Sequence, residues 1–101
     1  MDKLIELQKS AAEASKLLKA MANPDRLMLL CQLSRDEKSV GEIEALTGIQ
    51  QPTLSQQLGV LRDEGLVETR RDGKKIYYSL SNQTVLALMN VLHQEICEKN
   101  R

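Results

Sequence analysis

Apolar residues open the chain at Leu4, Leu7, Ala11, Ala14, Leu18 and Met21, a three-four spacing kept for more than two heptads. That period lays one stripe along a helix and predicts an amphipathic helix over 4–21. The stripe suits ordinary core packing and packing along a second helix, including one from another subunit. "MANPDRL" then gives a start signal: Asn23 as N-cap, Pro24 at the first helical position and Asp25 in the first turn. Leu27, Leu30 and Cys31 carry this second helix to about Leu33, and "SRDEK" reads as a loop. Ser39 with Glu42 three residues on predicts a capping box for a short helix over Val40 to Leu46. Gly48 suits its left-handed end.

A fourth helix is expected from about Gln51 to Glu64, with Leu54, Leu58 and Leu61 on one side and Gly65 ending it. The period then changes. "LVETRRDGKKIYYSL" reads as two strands around an Asp-Gly turn, a strong short-range hairpin signal. Ser81 is the expected cap of a last helix carrying Val85, Leu88, Met89, Leu92 and Ile96. The order is α-α-α-α-β-β-α, mainly α with a β-hairpin, in one domain over 1–101 without repeats or linkers.

Composition adds little to that outline. The 101 residues include two Tyr and no Phe or Trp, so the core must be aliphatic. A small aliphatic helical chain often completes its burial with a second copy, and a homodimer is expected. No apolar stretch is long enough for a membrane span, and the N-terminus is an amphipathic helix, not a signal peptide. Those features predict a cytoplasmic protein without a membrane partner, whose thiols are kept reduced. Net charge is zero. Nucleic-acid binding therefore has to rest on charges sorted by surface.

The third and fourth helices form a helix-turn-helix over about 40–64, and the hairpin over about 66–80 is its wing. With the three leucines turned inward, the fourth helix presents Thr53, Ser55, Gln56 and Gly59, flanked by Gln51 and Gln57. These are short or amide side chains, with no acid before Asp63 to repel a phosphate backbone. Gln pairs with an adenine edge, and Ser and Thr bond bases or phosphates. Arg70, Arg71, Lys74 and Lys75 cluster at the hairpin tip, where they fit the backbone or a minor groove. Lys and Arg beside a turn are otherwise simply solvated; the helix pair beside them favours double-stranded DNA.

"LLKAMANPDRLMLLCQL" and "SVGEIEALTGIQQPTLSQQLGVLRDEGLVETRRDGKKIYYSL" resemble the ArsR/SmtB family of dimeric winged-helix repressors over nearly the whole chain. The resemblance implies a homodimer built by the helices at 4–21 and 83–98. It also implies an operator that is an imperfect palindrome, release by an inducer, and DNA contacts from Gln51, Thr53, Ser55, Gln56 and Gln57. Arsenic and cadmium sensors of that family carry Cys-x-Cys near the start of the third helix, where "SVGEIEAL" has no cysteine. Its zinc and nickel sensors use several His and Asp on the last helix, which here has His93 alone and no Asp. What remains, Cys31 and Cys97, resembles the dithiol branch that responds to sulfide and persulfide. There the corresponding thiols form a disulfide or polysulfide bridge that lowers DNA affinity, so reactive sulfur species are the implied inducer.

The residues themselves leave more open. Cys31 beside Leu30 fits a small buried hydrophobe, with Arg35 four residues on as a source of positive charge. Cys97 falls roughly 120° from the centre of the last helix's apolar stripe on an α-helical wheel, where packing does not account for it. Cys31, His93 and Cys97 also suit a metal-responsive repressor with a three-ligand site, and the two thiols suit a general oxidation sensor. A thiol enzyme finds no Cys-x-x-Cys, no base and nucleophile pair and no Gly-rich phosphate loop. Neither catalysis nor a cofactor is expected.

Overall fold

The computed structural model describes residues 2–100, so Met1 and Arg101, the ends of the expected 1–101 domain, lie outside it. Helix α1 spans Lys3–Met21, α2 Pro24–Leu33, α3 Val40–Thr47, α4 Thr53–Asp63 and α5 Gln83–Leu92. A π-helical turn, His93–Cys97, continues α5. Strands β1 (Lys38–Ser39), β2 (Val67–Asp72) and β3 (Lys75–Leu80) form an antiparallel sheet in the order β1-β3-β2.

Local chemistry sets most of the boundaries. The Asn23 side chain accepts from the Arg26 N–H, with Pro24 at the next position. The capping box is complete: Ser39 Oγ accepts from the Glu42 N–H at 3.3 Å, and Glu42 Oε1 accepts from the Ser39 N–H at 2.9 Å. Gly48 ends α3 with φ of 73°, a conformation that glycine adopts without a Cβ clash.

Four expectations are corrected. Asn82, not Ser81, caps α5, its Oδ1 accepting from the Val85 N–H at 3.1 Å. Helix α4 starts at Thr53 because Pro52 occupies its N-cap. The hairpin pairs Asp72 with Lys75, so its central residues are Gly73 and Lys74 instead of Asp72 and Gly73. Gly73 takes φ of 63°, the first position of a tight hairpin turn. Finally, the "SRDEK" stretch is not all loop, since Lys38 and Ser39 pair with Tyr78 and Tyr77 as a third strand.

Leu29 and Leu30 of α2, Ile43 of α3 and Leu54, Leu58 and Leu61 of α4 are fully buried together with Leu66 and Val85. Each such side chain contributes about 1.5–3 kcal/mol relative to exposure. They fix α3 and α4 against α2, which decides the face α4 turns outward. Helix α1 joins this core only through its last turns, where Ala20 and Met21 are buried and Leu17 is half-buried. The rest of its stripe is bare in the single chain: Leu4, Leu7 and Leu18 are 58%, 66% and 53% exposed.

Candidate nucleic-acid interface and thiol cavity

Burial of Leu54, Leu58 and Leu61 turns Thr53, Ser55 and Gln56 to solvent, with Gln57 and Gly59 half-buried at the edges. Pro52 offers no side chain to cap α4, and Gln51 supplies the missing acceptor. Its Oε1 takes the Ser55 N–H at 3.0 Å and the Ser55 hydroxyl at 2.7 Å. That leaves the Gln51 amide N–H groups and the Ser55 oxygen facing outward. The first turn of α4 contains no acid, as its sequence requires.

Gln57 faces inward across the helix pair. Its Oε1 accepts from Arg26 Nη1 at 2.9 Å, while Arg26 Nε and Nη2 donate to the Ala20 and Lys19 carbonyls at 2.6 and 3.2 Å. Arg26 thus joins the end of α1, the start of α2 and the middle of α4. Sequence reasoning missed it because its partners lie at separations of up to 31 residues.

The wing tip carries Arg71, Lys74 and Lys75, all exposed. Arg70, expected beside them at DNA, is engaged within the chain. Its Nε and Nη2 donate to the two carboxylate oxygens of Glu37 at 2.9 and 2.6 Å, and its guanidinium lies 4.7 Å over the Tyr77 ring. The hydrogen bond from Arg70 holds the Glu37 carboxyl below its ordinary pKa and raises that of Arg70 in return. This bidentate pair ties the middle of β2 to the segment before β1, leaving the wing tip beyond it exposed.

The two thiols border one cavity. Cys31 is half-buried at the edge of the core and Cys97 is exposed. Both line one cavity of about 260 Å³ between α2 and the end of α5. Leu27 and Met28 form its α2 wall beside Cys31, and Met89, Leu92, His93 and Ile96 form the opposite wall beside Cys97. Cys97 is exposed, as its place off the apolar stripe predicts, yet it borders the cavity. In the π turn the Glu98 N–H donates to the His93 carbonyl at 3.0 Å, five residues back. One extra residue per turn sets later side chains back by about 100°. Ile96 and Cys97, both exposed, border the cavity together from this turn. Arg35 is exposed and does not line the cavity.

His93 shares the cavity wall, but among the described residues no three His, Cys, Asp or Glu side chains converge as a metal site requires. The trio Cys31, His93 and Cys97 borders a common space without forming a chelating cluster.

Comparison with known proteins places these features among regulators. Residues 23–69 match the model of the "Bacterial regulatory protein, arsR family". The biofilm growth-associated repressor of Xylella fastidiosa (strain Temecula1) is 49% identical over 96 residues, 95% of this chain and 84% of that one. Reduced HlyU from Vibrio cholerae superposes with a TM-score of 0.88 at 44% identity, covering 91% of this chain and 97% of that chain. The homodimeric winged helix-turn-helix DNA-binding domain (fragment 1–100) from Mycobacterium bovis superposes with a TM-score of 0.75 at 31% identity, covering 99% and 89%.

Proposed function

The chain belongs to the arsR family of bacterial regulatory proteins and is a DNA-binding transcriptional regulator; from that premise we propose that it is a homodimeric repressor which senses reactive sulfur species through Cys31 and Cys97. One observation carries this reading: the only two cysteines of the chain, 66 positions apart, line the same cavity. A persulfide formed on one thiol is open to attack by the other, closing a disulfide or a longer sulfur bridge. The closed loop of more than sixty residues is worth roughly 4 kcal/mol on the chain-entropy model.

DNA binding falls to α4 and the wing. Thr53 and Gln56 reach base edges or phosphates with side chains that make no hydrogen bond among the described residues, and Gln51 and Ser55 do so through their free amide and oxygen. Arg71, Lys74 and Lys75 meet the backbone. Gln57 and Arg70 serve the same interface from behind, holding α4 and the wing through Arg26 and Glu37. The dimer forms along the bare stripe of α1 and the exposed side of α5 that includes Val91. Because α5 leads into the π turn, a bridge from Cys97 to Cys31 moves the dimer face and changes the spacing of the two α4 helices. Two half-sites one DNA turn apart, about 34 Å, tolerate little such change.

The test is operator release after persulfide treatment, followed with intact mass spectrometry in wild type, Cys31→Ser and Cys97→Ser. Wild type is expected to gain a bridge and lose DNA, and each variant to keep DNA. Release that survives either substitution refutes the dithiol switch. A peroxide arm separates a sulfur sensor from a general oxidation sensor, since only the latter responds equally to both.

A further inference from the structure

The cations of the hairpin are not equally free. Arg71, Lys74 and Lys75 are exposed and make no ion pair among the described residues, whereas Arg70 is held by Glu37. Arg70 of β2 and Tyr77 of β3 are cross-strand partners, and Ser39 pairs with Tyr77 from the other side. The Arg70 side chain therefore crosses β3, its guanidinium over the Tyr77 ring, to reach Glu37 just before β1. Glu37 offers the fork two oxygens, at 2.9 and 2.6 Å, the arrangement in which a guanidinium also takes a phosphate. Asp72 stands farther off, 3.9 Å from Nη1. Both members of the pair are exposed, so the guanidinium is open to competition from a phosphate. Lys75 points from the same face: its cross-strand partner Asp72 lies two residues beyond Arg70, about 7 Å along β2. Arg70 is thus one long side chain away from the wing tip.

Resting on the reading of the wing above and independent of the thiols, we propose that Glu37 restrains sequence-independent DNA binding: its carboxylate takes the place of a DNA phosphate on Arg70 and keeps that guanidinium out of the contacts with the duplex backbone. The chain has a formal net charge of zero, so its attraction to any duplex comes from locally sorted cations, and each one withheld counts. Every phosphate met by a cation releases condensed counterions, and a duplex bound without base readout is held almost wholly by that effect. Four phosphate-binding cations on the wing would grip any sequence more firmly than three. Random DNA far outnumbers operator, so a firmer grip on it leaves less protein for the operator. A glutamine at position 37 keeps the side-chain length but offers the guanidinium one neutral carbonyl oxygen in place of a charged pair. Arg70 would then turn to the backbone.

The experiment measures binding to a short random-sequence duplex by fluorescence anisotropy, from about 50 to about 200 mM salt. Glu37→Gln should bind more tightly than wild type at low salt and steepen the slope of log K against log salt by about 0.9. Its affinity then falls about 3.5-fold further than wild type's over that range. The double variant Glu37→Gln with Arg70→Gln should return to the wild-type slope, because the guanidinium that gained the contact is gone. Glu68→Gln removes the same charge from the same face of β2 without belonging to the pair, and should move the slope by less than about half as much. A Glu37→Gln variant with unchanged or weaker binding overturns the proposal. So does a Glu68→Gln variant that matches it, since net charge alone would then be acting. A double variant as steep as Glu37→Gln, or shallower than wild type, overturns it as well, because Arg70 would then gain no contact or hold one already. Lys74→Gln tests the wing itself and should make the slope shallower by about 0.9. If it does not, the wing is off the DNA and both readings fall; a response there with none in Glu37→Gln removes this proposal alone.

Discussion

Removing the Arg26 guanidinium should cost the fold far more than a typical half-exposed side chain does. In α1 the carbonyl of Ala20 would be met four residues on by the N–H of residue 24, but that residue is Pro24 and has none. Arg26 Nε fills the gap at 2.6 Å, and its other two bonds reach the Lys19 carbonyl at 3.2 Å and Gln57 at 2.9 Å. A part-buried hydrogen bond is worth about 1 kcal/mol net, and a buried carbonyl left without a donor costs about 1–3 kcal/mol. Arg26→Ala should therefore destabilise by about 3 kcal/mol, a large share of the roughly 5–15 kcal/mol that holds such a domain. Arg26→Lys keeps the charge but not the fork, and should lose about 1–2 kcal/mol. Urea unfolding at a fixed protein concentration measures both, because dimerisation makes the midpoint concentration-dependent. A double-mutant cycle with Gln57→Ala should show coupling of about 0.5–1.5 kcal/mol, and operator affinity should fall with Arg26→Lys even where the protein remains folded. The reasoning is refuted if Arg26→Ala lies within about 0.5 kcal/mol of wild type, or if Arg26→Lys is as stable and binds as tightly.

Two further outcomes follow from the geometry. Glu37 is lowered below its ordinary pKa of 4.5 by Arg70, and Glu42 by the Ser39 backbone N–H and then its hydroxyl. Both are less readily protonated folded than unfolded, so their contribution is complete above that value and is lost as pH falls through their lowered ones. The urea midpoint should accordingly drop below about pH 4.5, with a shallower slope in the combined Glu37→Gln and Glu42→Gln variant; an unchanged slope refutes it. Separately, Leu7→Lys or Leu18→Lys should leave the helical circular dichroism of a concentrated sample intact while shifting sedimentation toward monomer, and a dimer unmoved by both would remove α1 from the interface.

The parts of this fold that were legible in the chain are those in which cause and effect lie within four residues. Asn23 with Pro24, Ser39 with Glu42, and Gly48 each act on their own turn, and each boundary falls where they put it. The same reasoning went one residue astray where two adjacent residues were both good candidates. Ser81 and Asn82 can both cap a helix, and only the path of the chain leaving β3 chooses Asn82. Asp72-Gly73 and Gly73-Lys74 can both turn a hairpin, and the cross-strand register chooses the second. Long-range features were not legible. Strand β1 has two residues and exists only by pairing with β3, and the Arg70–Glu37 pair spans 33 positions. The outward face of α4 was readable because three buried leucines fix it, whereas the tasks of Gln51 and Gln57 depend on which neighbours reach them. Cys31 and Cys97 were both singled out, but the π turn that carries the second and the cavity they share were not legible.

The π turn at His93–Cys97 has a bearing on how such a regulator changes over generations. Val85 and Met89 lie upstream of it and anchor α5 in the core whatever follows. An added or deleted residue within the turn rotates everything beyond by about 100°, so the tail works like a dial mounted on a fixed shaft. A change at that point alters which side chain faces α2 without disturbing the packed half of the helix or the DNA-reading surface. Chemical input can thus diversify at a single joint while the output is inherited intact.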